Sequence, residues 1–139
     1  MHMRGTPQTM ASQTNYTNLI VEIAQYFAEK IQTLKELGVK DLIIDPGFGF
    51  AKTLEQNYEL LGKLEHLKII GHPVMVALSR KSMIYKLLET DAEHALNGTT
   101  AANTIALMQG ANILRVHDVH AAKEAIKIVE QVAYLTKTI

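Results

Sequence analysis

Three polar stretches and a fourth, weaker one have the residue types and spacing to do chemistry. The most informative is Asp45-Pro46-Gly47-Phe48-Gly49-Phe50-Ala51-Lys52. A carboxylate precedes a proline that stops a strand, and glycines at 47 and 49 permit turns that other residues resist. Two aromatic rings are thereby set in a loop. A carboxylate beside such a wall can accept a pair of donors from a flat ligand. The plainer use is a βα turn with Asp45 capping a helix.

Ser79-Arg80-Lys81-Ser82 puts two cations and two hydroxyls at the start of a helix. Cations there oppose the helix dipole, and an anion brought to that end resolves the conflict. A solvated basic turn is the bland alternative. Arg115-Val116-His117-Asp118 closes an apolar run, and strand alternation sends Arg115 and His117 to one side. An arginine in an apolar strand is rarely buried without a partner, so Arg115 is expected to meet an anion or stack on a planar ring. His117 alone would more often be a structural hydrogen-bonder, and Asp118 is expected to cap the last helix. In Met1-His2-Met3-Arg4-Gly5-Thr6-Pro7, a histidine between two methionines reads as core filling. His66, His72, His94 and His120 share no spacing, and no metal site is expected from them.

These stretches need elements to hold them. Asp41–Ile44, Val74–Leu78 and Ile113–Val116 are short, continuous apolar runs, the pattern of parallel strands covered on both faces. Parallel strands are expected at about 41–45, 74–79 and 112–117. Between them run helical periodicities. Leu19, Ile20, Ile23, Phe27, Ile31 and Leu34 form one stripe, closed by Gly38. Thr53 to Gln56 and Thr90 to Glu93 both have capping-box spacing. A helix over 95–109 ends at Gly110, and Ala122, Ile126, Val129 and Ala133 mark the inner face of the last. Asp45, Ser79 and Arg115 follow successive strands at intervals of 34 and 36 residues. The chain therefore holds about four βα units, roughly half of the ~250 residues of a (β/α)₈ barrel. The expected fold is α/β: a partial TIM barrel, about its C-terminal half, with the polar stretches gathered at the C-terminal ends of the strands.

Composition bounds the rest. The 139 residues carry 14 acidic and 14 basic side chains, a balance that predicts no nucleic-acid or membrane-surface partner. Without cysteine there is no disulfide, thiol nucleophile or cysteine-held metal, and a reducing, cytoplasmic setting fits. No apolar run reaches the roughly 18 residues of a membrane span, and no leader peptide is expected from the first residues.

Together, Met1–Pro7, Asp45–Phe50, Ser79–Ser82 and Arg115–Asp118 occur in the order and spacing that resemble the bacterial dihydropteroate synthase family. The resemblance covers essentially the whole chain and corresponds to the C-terminal half of that enzyme, so that 1–139 reads as the C-terminal portion of a pterin-binding barrel domain. It implies condensation of 6-hydroxymethyl-7,8-dihydropterin diphosphate with 4-aminobenzoate, releasing pyrophosphate. It implies that Asp45 binds the pterin's amino and ring nitrogens, and that Lys81 bonds the pterin and borders the aminobenzoate. Arg115 would stack on the pterin and, with His117, hold the diphosphate. Phe50 and Ser82 would line the aminobenzoate site, and Met1 would pack near the pterin. Lys81 and Arg115 would carry the catalysis.

The resemblance further implies Mg²⁺, with its protein ligand in the N-terminal half, and a homodimer formed through the C-terminal helices. One departure stands out: the family usually continues Gly-Phe-Gly-Phe with Gly, and Ala51 stands here, which is expected to alter loop flexibility only. The first two mobile loops and further pterin ligands belong to the family's N-terminal half, so the chain alone is expected to be inactive. Two other readings stay open: the pterin-binding domain of a methyltetrahydrofolate methyltransferase, and a non-catalytic half-barrel module.

Overall fold

A computed structural model describes residues 1–136. The first helix, α1 (Leu19–Glu36), forms where the apolar stripe lies, and buries Leu19, Ile20, Ile23, Phe27 and Ile31. Its N-terminus is doubly tied. Asn18 Oδ1 accepts from Val21 N at 3.2 Å, while Glu22 Oε1 accepts from Thr17 N and Asn18 N at 2.7 and 2.9 Å. The second helix, α2 (Leu54–Gly62), opens with the expected capping box, Thr53 and Gln56 each satisfying the other's backbone N–H. A 3₁₀ stretch, Leu64–Ile70, follows and buries Leu64 and Leu67.

The strands are parallel, as expected, and much shorter than expected. β1 (Met75–Val76) pairs with β2 (Ile113–Leu114), and Ile44 makes a single parallel bridge to Val74. The ladder spans less than the apolar runs because apolarity reports burial, whereas a ladder needs a neighbour's backbone at the right register. The chain at His2 joins the same row, its N–H donating to Asp45 O at 2.8 Å. The row therefore follows chain order, His2, Ile44, Val74–Val76, Ile113–Leu114, with helices in the intervals.

α3 (Ser82–Leu87) and α4 (Leu96–Met108) fill the interval after β1. They approach so closely that a Cβ on Gly98 would stand 2.6 Å from Ile84 Cγ2 and 2.7 Å from Leu88 Cδ1. The expected capping box at Thr90–Glu93 does not form. α4 begins only at Leu96, and Asp91 instead closes its own turn, accepting from Glu93 N and His94 N at 2.9 and 3.0 Å. α5 (Val119–Thr136) ends the described chain. It buries Ala122 and Ala125, half-buries Ile126 and Val129, and leaves Ala133 exposed, so its inner face is shorter than the periodicity suggested. Val76, Leu78, Leu60, Leu64 and Ile23 lie at the centre of one continuous core. No described helix is long and apolar enough to cross a membrane.

Candidate active site

Because the strands run parallel, the residues that follow them share one end of the row. Asp45 leaves the Ile44 bridge 9% exposed, and its Oδ1 accepts from Gly47 N at 2.8 Å. The carboxylate closes its own turn and caps no helix, since α2 starts at Leu54. Gly47 turns there with φ +72, and a side chain on it would run into the His2 carbonyl. Ala51, the residue that departs from the family pattern, also holds a positive φ of 50. Its methyl is buried and its carbonyl accepts from Tyr16 OH at 2.9 Å. Ala51 thus takes a left-handed conformation that costs a non-glycine residue of order 1–3 kcal/mol, held by its surroundings.

Lys81 stands at the N-cap of α3 and reaches back across this loop. Its Nζ donates to Phe48 O and lies 4.8 Å from the centre of the Phe50 ring. Burial lowers the Lys81 amine below its usual range. The charge of Asp45 opposes that lowering and the charge of Arg115 adds to it, so both stand close enough to bear on the amine. Arg115 itself is exposed, beyond the last residue of β2, with its backbone N–H on Val76 O at 2.8 Å. The strand itself is shorter than the expected 112–117, and the ladder stops one residue before Arg115. His117 is likewise exposed, and its backbone N–H donates to Ser79 Oγ at 3.2 Å.

Asp45, Phe50, Lys81 and Arg115 are therefore brought together, with His117 two residues beyond Arg115. Ser82 is half-buried on a neighbouring polar cavity of about 230 Å³ lined by Gly49, Lys52, Asn57, Met83 and Lys86. Met1, 52% exposed, has its side chain beside Gly47 and lines a cavity with Tyr26, Leu34, Leu42 and Ile43.

Three further side chains, Arg80, Asn57 and Lys52, shape this end of the row. Arg80, expected to be an anion-seeking or solvated cation, is used internally. It forms a two-pronged pair with Asp118 at 3.0 Å on each arm and donates to the Ala92 and Glu93 carbonyls. That pairing holds the Asp118 carboxyl below the usual carboxylate range, and Asp118 stands directly before α5, its carbonyl accepting from Ala122 N at 3.1 Å. Asn57 is buried on α2, and its Oδ1 accepts from Gly49 N at 2.7 Å. Lys52 Nζ sits within the loop itself, 2.9 Å from Gly47 O, 3.1 Å from Phe50 O and 3.1 Å from His2 Nδ1. The sequence signal for Lys52 was its place directly after the Gly/Phe run, but nothing in spacing tells a lysine which carbonyls it will reach.

Known proteins are similar to this chain in sequence and in fold. The sequence pattern of the family described as "Pterin binding enzyme" matches residues 1–117. The chain belongs to that pterin-binding enzyme family. Among its relatives, the dihydropteroate synthase of Escherichia coli K12 is 43% identical over 132 residues, 94% of this chain and 47% of the relative. The Yersinia pestis dihydropteroate synthase, solved as a sulfonamide drug complex, superposes with a TM-score of 0.93 at 40% identity. That match covers 96% of this chain and 50% of the other. The Thermus thermophilus enzyme, solved with 6HMPPP and with 4-aminobenzoate, superposes with a TM-score of 0.90 at 37% identity in both structures. Those matches cover 95% of this chain and 53% and 55% of the other. The chain thus spans about half the length of the relatives it matches.

Proposed function

We propose that this chain supplies the C-terminal half of a dihydropteroate synthase site, residues 1–139 being the C-terminal portion of a (β/α)₈ barrel domain. The observation that carries the reading is the meeting of Asp45, Lys81 and Arg115 at the C-terminal ends of parallel strands, the face on which barrel enzymes build their sites. In this reading Asp45 accepts the amino and ring N–H groups of the pterin. Lys81 donates to the pterin and borders the aminobenzoate, which lies against Phe50 and the cavity at Ser82. Arg115 stacks on the pterin, and its charge, with His117, holds the diphosphate. Met1 packs at the pterin's edge.

The reaction is a substitution at the pterin methylene. The C–O bond loosens, its electron pair leaves with pyrophosphate, and the aniline nitrogen forms the new C–N bond and gives up a proton. Fixed cations where that negative charge grows lower the barrier. No protein nucleophile is required. Among the described residues no three His, Asp or Glu side chains group to hold a metal ion. The groups beside Asp45 are the cations Lys52 and Lys81, a poor environment for a divalent cation, so no step here is routed through Mg²⁺. A cytoplasmic homodimer joined through the last helices completes the reading.

Titration of the protein with 6-hydroxymethylpterin, followed by its fluorescence, tests it. Binding is expected, and Asp45→Asn should weaken it at least tenfold. Binding unaffected by Asp45→Asn, or none at all, overturns the reading. Calorimetry with 4-aminobenzoate in the presence of pyrophosphate separates a synthase from a methyltransferase-type pterin domain, which has no use for the aminobenzoate.

A further inference from the structure

Lys52 has no part in the proposed chemistry, yet it sits inside the loop that carries Phe48 and Phe50. A protonated lysine has three N–H donors. Here three acceptors surround Nζ: Gly47 O at 2.9 Å, Phe50 O at 3.1 Å and His2 Nδ1 at 3.1 Å. Two of them are the first and fourth carbonyls of one turn, and the third belongs to the neighbouring segment of the row. Other side chains hold single points of the loop, Asp45 Oδ1 on Gly47 N at 2.8 Å, Asn57 Oδ1 on Gly49 N at 2.7 Å and Tyr16 OH on Ala51 O at 2.9 Å, but Lys52 alone among them spans the turn from Gly47 to Phe50. Gly47 and Gly49 have φ of +72 and +80 and Ala51 has φ of 50. Its own backbone closes with one 3.2 Å bond, Phe50 N to Gly47 O. The Phe48 carbonyl in the middle of that turn is the acceptor on which Lys81 rests.

We propose that Lys52 is a positioning residue: by clamping the Gly47 and Phe50 carbonyls to His2, it sets the Phe50 ring and the Phe48 carbonyl beneath Lys81 for the ligand of the candidate site. The ligand half of this statement rests on the pterin reading above; the clamp does not.

A lysine that served the fold alone would alter stability and leave the ring and the ligand indifferent to its proton. Burial pushes the Lys52 amine down to about 7, against the pull of Asp45 and with the push of Lys81 and Arg4. His2, at hydrogen-bond distance, is the remaining titratable group facing it. A neutral amine keeps only two N–H donors and gains a lone pair, so as pH rises through that range one carbonyl is released or the contact with His2 reverses its direction.

Phe27, Phe48 and Phe50 are the three phenylalanines of the chain. The protein labelled with 4-fluorophenylalanine therefore gives three ¹⁹F resonances, and Phe50→Leu assigns one. In the wild type the Phe50 resonance is expected to titrate with a midpoint near 7, while Lys52→Met should shift and broaden it at pH 6.5 and abolish the titration. At the same pH Lys52→Met should bind 6-hydroxymethylpterin at least tenfold more weakly. Lys81 Nζ also lies 4.8 Å from the Phe50 ring, so Lys52→Gln, which keeps an N–H donor but does not titrate, is the second variant. It should abolish the Phe50 titration even if Lys52→Met fails to fold, and a titration that persists in it overturns the clamp. A Phe50 resonance flat from pH 6 to 8.5, or a folded Lys52→Met with wild-type pterin affinity, overturns the proposal. If the wild type binds no pterin, the proposed function fails, and the Phe50 titration alone decides whether Lys52 holds the loop.

Discussion

His2 is 1% exposed, with Tyr26 edge-on 5.0 Å away. Burial, followed by the charge of Lys52, pushes its imidazole from 6.5 down to about 3. The folded value is the lower one, so the unfolded chain binds a proton between pH 6.5 and 3 that the folded chain refuses. The stability tied to His2 is complete above pH 6.5 and is lost as pH falls toward 3. Each tenfold difference in proton affinity between the folded and unfolded chain is worth about 1.4 kcal/mol, so the loss is on the order of a few kcal/mol. Thermal melts at pH 7, 5 and 4 should show a falling Tm, and His2→Gln should flatten that slope while lowering Tm at pH 7. A wild-type Tm indifferent to pH over this window would show that His2 is not held neutral by burial. At the same scale, the cations around the site divide by partner. Arg80 is committed to Asp118, whereas Arg115 stays exposed and available to an anion.

At the scale of elements, two segments with the same capping-box spacing behave differently. Thr53 Oγ1 accepts from Gln56 N at 3.2 Å and α2 starts beside it. Thr90 lies six residues before α4 and caps nothing. Thr53→Ala should therefore cost about 1 kcal/mol in chemical denaturation, while Thr90→Ala should stay within about 0.5 kcal/mol. Equal effects would mean that the box at Thr53 contributes no more than its spacing. The α3–α4 contact gives a second test. Gly98→Ala places a methyl against Ile84 and Leu88, and overpacking of this kind costs about 1–3 kcal/mol. The same denaturation experiment reads it, and a neutral result would show that the two helices can part without loss.

At the scale of the molecule, the row is short and the core around it continuous. Val76 is fully buried between helices, and a carboxylate there has no partner to offset its desolvation. Val76→Asp is expected to abolish cooperative unfolding by circular dichroism. The outer face of α5 is different: Ile128, Val132 and Leu135 are 66%, 50% and 56% exposed and lie one helical turn apart. If the proposed homodimer uses this face, Ile128→Asp with Val132→Asp should weaken self-association at least tenfold in sedimentation, with little change in Tm. Unaltered association would place the interface elsewhere. Turnover is also decided at this scale. With about half the length of its relatives, the 139-residue chain alone should release pyrophosphate from the two substrates at under about one-hundredth of the rate of the E. coli relative, since lost positioning costs orders of magnitude.

Short-range physics was legible from the residues alone. The stripe of α1, the cap at Thr53, the parallel character of the three apolar runs and the place of Asp45, Lys81 and Arg115 at strand ends depend on neighbours a few positions away, and period and propensity report such neighbours. What lay beyond the sequence was pairing at a distance. Arg80 meets Asp118 across 38 positions and Lys52 meets His2 across 50, and a charged side chain carries no mark of which carbonyl or carboxylate will satisfy it. The length of the ladder was hidden for the same reason: an apolar run announces that it will be buried, while the backbone that pairs with it is supplied by the tertiary structure.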